Sequence, residues 1–189
     1  TCEQNMSVRP STTPLPITQN TDIEATINGY RWQFDPGTPR VLDWSVSGAA
    51  WNSADLKSAE TQQDFATVFN NIGYYINVEF RGLGYFNSTA TLRGYEAAYQ
   101  AGSELNIAYA FNGTDSLGRF IADNRFSDSS STAFCNFPST LSDATIYPGA
   151  SSDTWLNENN SFIASLTYEV GTNGFALLLH EVLHGLGLK

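Results

Sequence analysis

Two histidines set four residues apart in an apolar run constrain this chain more than any other feature. They stand in His180-Glu181-Val182-Leu183-His184, they are the only histidines present, and Gly185-Leu186-Gly187-Leu188 follows them. On a helix, residues four apart share a face, so both imidazoles can reach one Zn²⁺ at ~2.0–2.1 Å. Glu181, one step past the first histidine, is placed to take a proton from a metal-bound water. The pattern reads as a zinc hydrolase, most often a protease. The competing reading is a buried stripe made by Ala176, Leu177, Leu179, Val182, Leu183 and Leu186. Burying two imidazoles and a carboxylate without partners costs on the order of several kcal/mol, which a metal would offset.

At 189 residues the chain has room for one domain with a core, or for a domain and a tail. Nine basic residues against nineteen acidic ones give a net charge of −10, and the only lysines are Lys57 and Lys189. There is no basic stripe for a nucleic-acid partner. No apolar run approaches the roughly 20 residues of a membrane helix. Residues 1–20 also lack the apolar stretch of a secretory signal, so an export signal is expected to have been removed or to lie elsewhere. An acidic surface rich in Asn, Ser and Thr suits a secreted, extracellular protein. Cys2 and Cys135 could form one disulfide tying the N-terminal tail to the body; two unrelated thiols are an equal alternative.

Along the chain, Pro10, Pro14 and Pro16 among polar residues favour an extended tail over residues 1–21, with the body starting at Asp22. Arg40–Ser47 alternates as a strand. From Ser53 the period turns helical, with Leu56, Ala59, Phe65, Val68, Phe69 and Ile72 on one face and Gly73 as its end. Tyr75–Phe80 and Ser103–Ala110 read as strands, with a helical turn at Tyr95–Tyr99 between them. Residues 112–143 read as a long loop region anchored by Phe120, Phe126, Phe134 and Phe137, with one short strand. In it Asp115, Asp123 and Asp128 could offer oxygens to Ca²⁺, a candidate second ion, although no EF-hand or nonapeptide spacing supports that over solvated carboxylates. Thr145–Tyr147 and Asp153–Leu156 read as short strands. Thr172 or Asn173 caps the closing helix.

These segments resemble the serralysin-like branch of the metzincin zinc endopeptidases. The residues that carry the likeness are Tyr147-Pro148-Gly149, Ser152–Asn157, Tyr168–Thr172, Leu177–Glu181 and Gly185–Leu188. The resemblance implies an α+β fold of α/β-like character: a twisted, mostly parallel sheet with an antiparallel edge strand and two long helices. This is the metzincin upper subdomain, here residues 22–189. It implies zinc as cofactor, His180 and His184 as ligands and Glu181 as general base. Gly187 matches the turn glycine that leads the chain toward a third histidine ligand. That ligand would fall just beyond Lys189, so the resemblance implies the N-terminal part of a longer enzyme, completed by a C-terminal remainder. Leu183 departs from the family, many of whose members carry Gly there.

The expected function is hydrolysis of peptide bonds in extracellular proteins, with the substrate paired along an edge strand at Thr145, Ile146 and Tyr147. The alternative is a secreted binding or structural module on the same scaffold, without catalysis.

Overall fold

The computed structural model describes residues 8–10, 32–48, 59–87, 89, 92–110, 132–138, 152–157 and 160–188. Two short strands, β1 (Val8–Pro10) and β2 (Trp32–Phe34), pair antiparallel as a separate ribbon, with Val8 opposite Phe34. The main sheet has five strands: β3 (Val41–Gly48), β4 (Glu79–Phe86), β5 (Leu105–Ala110), β6 (Ala133–Cys135) and β7 (Thr154–Asn157). Their spatial order is β4-β3-β5-β7-β6; every neighbouring pair is parallel except β6 and β7. Parallel neighbours need crossovers, and two are helical: α1 (Ala59–Ile76) between β3 and β4, and α2 (Gly94–Gln100) between β4 and β5. After β7 come the single-turn helix α3 (Ser161–Ala164) and the closing helix α4 (Asn173–Gly185). The protein is therefore an α/β fold on a mixed, mostly parallel sheet.

Period-2 alternation sends β3 side chains to two different layers. Leu42, Trp44 and Val46 join Phe65, Val68, Phe69 and Ile72 of α1 and Leu178 and Val182 of α4 in the main core. The α1 residues recur at helical spacing, and burying each such side chain contributes about 1.5–3 kcal/mol. Phe69 stacks on Trp44 at 4.7 Å, and Phe65 meets Tyr168 edge-on at 4.9 Å. On the opposite face, Tyr95 of α2 packs with Ala108 and Trp155. Beside them lies a buried polar seam. Asn106 Oδ1 accepts from Ser45 Oγ at 2.9 Å, its Nδ2 donates to Ser47 Oγ at 2.9 Å, and its backbone N–H donates to Asp153 Oδ1 at 3.1 Å. This ties β3, β5 and the start of β7 together.

Most expected elements are present with shifted ends, and one boundary is corrected outright. Helix α1 does not stop at Gly73 but runs to Ile76, and the following strand starts at Glu79, not Tyr75. The stop is Asn77, left-handed at φ 53°, whose N–H bonds the Gly73 carbonyl at 3.1 Å. Gly73 is required for a different reason: a Cβ there would lie 2.6 Å from the Val78 carbonyl oxygen, where the chain folds back. Tyr74 and Tyr75, 84% and 81% exposed, belong to the last helical turn. The antiparallel edge strand described is β6, inside the expected loop region, while Thr145–Tyr147 lie outside the described residues.

Candidate metal centre

Helix α4 starts where Thr172 caps it: its Oγ1 accepts the Phe175 N–H at 3.2 Å. Gly174 lets this first turn press on the preceding loop, since a Cβ there would lie 2.2 Å from the Thr167 carbonyl oxygen. Gly174, Leu178, Glu181, Val182 and Gly185 form the buried stripe. His180 is exposed and His184 half-buried. The sequence-level argument that all three polar groups would be buried is thus corrected; of the three, only Glu181, 5% exposed, is.

Four residues apart, the two imidazoles meet edge to face, with ring centroids 4.5 Å apart and Nε2 atoms 3.0 Å apart. Nδ1 of His184 lies 2.8 Å from the Leu188 carbonyl oxygen. A carbonyl only accepts, so in the neutral ring Nδ1 carries the proton, and the unprotonated Nε2 of His184 accepts from the His180 Nε2–H. Two nitrogens on one tetrahedral zinc, at ~2.0–2.1 Å each, stand roughly 3.3–3.4 Å apart, close to the separation found here. A carbonyl fixing the outer nitrogen is also the usual second contact of a metal-bound imidazole. Phe137 packs edge-on to the His184 ring at 5.5 Å. The donor pair therefore fits zinc; among the described residues no third His, Cys, Asp or Glu joins it.

The turn beyond the helix holds Leu188 in place. Gly187, at φ 101°, donates to the His184 carbonyl at 2.9 Å, and Leu188 N–H donates to the Leu183 carbonyl at 3.0 Å. This is a Schellman closure, and it requires the left-handed residue that glycine supplies.

Glu181 lies on the neighbouring face. Burial raises its pKa, and the nearby His184 opposes that rise only when its ring is protonated. Its Oε2 is buried with no hydrogen-bond partner among the described residues. The charge of the same carboxylate adds to the rise of the Cys135 thiol, so the two groups are near each other. Cys135 is a free thiol whose pKa is raised by burial, and its Sγ lies 3.3 Å from the Asn136 carbonyl oxygen and 3.5 Å from that of Ser152. Cys2, Asp115, Asp123 and Asp128 lie outside the described residues.

Sequence reasoning gave no place to Trp32, read Phe137 only as a loop anchor and took Ser152 only as part of the family likeness. Trp32 Nε1 donates to the Gly185 carbonyl at 3.1 Å across 153 positions, and no local pattern announces such a contact. No protein-family model matches this chain, and no curated protein matches it either.

Proposed function

We propose that this chain carries the metal-binding helix of a zinc-dependent endopeptidase of the metzincin type. The observation that supports it best is the imidazole pair: two Nε2 atoms 3.0 Å apart, one of them unprotonated because its ring donates to Leu188. A zinc ion held by His180 and His184 would supply Lewis acidity, polarising a scissile carbonyl and acidifying a water. Glu181, one residue past His180, would serve as the general base that takes a proton from an attacking water and gives it to the departing amine nitrogen. The substrate adopts an extended form along β6, the short edge strand against which α4 packs, and pairs through its main chain. Thr145–Tyr147, the expected pairing edge, lie outside the described residues, so β6 is proposed from the described sheet alone.

The test is elemental analysis and cleavage of an unstructured protein such as casein by the natural full-length chain. Zinc near one equivalent is expected, with cleavage lost on chelation. Glu181→Ala should keep the zinc and lose about a hundredfold or more of the rate, as for removal of a general base. Unchanged cleavage by Glu181→Ala rejects the mechanism. Protein without zinc after purification free of chelators favours the non-catalytic module.

A further inference from the structure

The residue after His184 sits in a socket built by four separate segments. On one side, Trp32 of β2 donates its indole N–H to the Gly185 carbonyl oxygen at 3.1 Å. On another, the Gly185 Cα lies so near β6 and the turn before β7 that an added Cβ would stand 3.0 Å from Cys135 Sγ and 3.0 Å from the Ser152 carbonyl oxygen. Leu105 Cδ2 closes the third side at 3.4 Å from that Cβ position. All three contacts are tighter than ordinary van der Waals contact, so a side chain at this position requires the socket to give by a few tenths of an ångström. Its walls resist movement. Ser152 is buried and left-handed at φ 64°, and its carbonyl accepts from the Cys135 thiol.

We propose that Gly185, held in this socket by Trp32, Cys135 and Ser152, is the positioning residue of the imidazole pair. The inference rests on reading that pair as metal ligands. Gly185 is covalently next to His184, and the turn that presents the Leu188 carbonyl begins one residue later. Fixing the Gly185 backbone fixes both the ring and its hydrogen-bond acceptor relative to His180. A glycine that merely stabilised the fold would, once replaced, lower the melting temperature and leave ring geometry intact in the molecules still folded. A positioning glycine changes the geometry.

The experiment compares the parent with Gly185→Ala, Cys135→Ala and the double variant, each well below its melting temperature. One readout is zinc affinity by competition titration. The other, in metal-free protein, is the NMR signal of the His184 Nδ1 proton, whose slow exchange reports its bond to Leu188. Gly185→Ala is expected to lose that proton signal and to weaken zinc binding roughly ten- to a hundredfold, as for loss of a group that orients a ligand. Cys135→Ala alone, which opens one wall of the socket, is expected to shift both readouts in the same direction as Gly185→Ala but by less. The double variant recovers part of both relative to Gly185→Ala, because loss of Sγ frees one wall while the Ser152 carbonyl oxygen still stands 3.0 Å from the new methyl. Parental signal and affinity in folded Gly185→Ala overturn the proposal. So does a double variant that folds yet recovers neither, or a parent without a slowly exchanging His184 Nδ1 proton. If Gly185→Ala fails to fold, Trp32→Phe, which removes the indole N–H and keeps an aromatic ring, must shift both readouts in the same direction, and unchanged values overturn it. A parent that binds no zinc, with the proton signal still lost in Gly185→Ala, leaves the positioning role standing and rejects the metal reading.

Discussion

Loss of solvent around the charged form pushes the carboxyl groups of Glu104, Asp153 and Glu181 above their ordinary range. Glu104 is the instructive one, pushed up to about 7 from 4.5. Burial is the main cause; the neighbouring Asp43 charge adds to it, while the Asp43 N–H and the charge of Arg81 oppose it. The sign follows directly. Between pH 4.5 and about 7 the folded state keeps a proton that the unfolded chain has released. Stability is therefore lost as pH rises through that window. Glu104→Gln should match the parent near pH 4 and exceed it at pH 8 in urea unfolding, since the amide oxygen still accepts from Asp43. A variant no more stable at pH 8 refutes this. None of the three shifts is legible from the chain alone, because each depends on what covers the group. His180, Glu181 and His184 are legible because their relation is local and helical.

Elements were read best where burial follows the backbone period and worst where a boundary depends on contact with something distant. Leu105 and Ile107 alternate with Asn106 and Ala108, so β5 declares itself; Thr172 declares the start of α4 by its hydroxyl. Gly73 misleads, because glycine as a helix stop and glycine as a site of close approach look alike in sequence. The two roles predict opposite mutational outcomes. Alanine is favoured over glycine inside a helix by about 1 kcal/mol, so Gly73→Ala would stabilise an unconstrained α1. A Cβ 2.6 Å from a backbone oxygen forces β4 away from the helix, with an overpacking cost of about 1–3 kcal/mol. The clash outweighs the propensity. Gly73→Ala is expected to lower the denaturant midpoint, and a raised midpoint would show that the Val78 turn yields freely. The short helix α3 went unread because its signal is one side chain, Asn160, whose Oδ1 accepts from Phe162 N–H at 2.9 Å.

On the scale of the whole molecule, the sheet and the imidazole pair are joined through contacts remote in sequence. The strand order β4-β3-β5-β7-β6 sets α4 against β6 and β7 on one side and α1 on the other. The ribbon strand β2 reaches the end of α4 from outside that sheet. Its Trp32–Gly185 hydrogen bond spans 153 positions. Contacts of such separation form late, because the loop they close is costly until the intervening structure exists. In a chain made N-terminus first, Trp32 waits for nearly all of the described residues before it meets its acceptor. The histidine face is thus the last surface to acquire its final shape. In refolding followed by stopped flow, far-ultraviolet ellipticity should recover before zinc uptake, and Trp32→Phe should lengthen the interval; simultaneous recovery would refute the order. On the proposed zinc-hydrolase reading, assembly in that order builds in a delay: the backbone would be folded, and resistant to cleavage, before the histidine face could act.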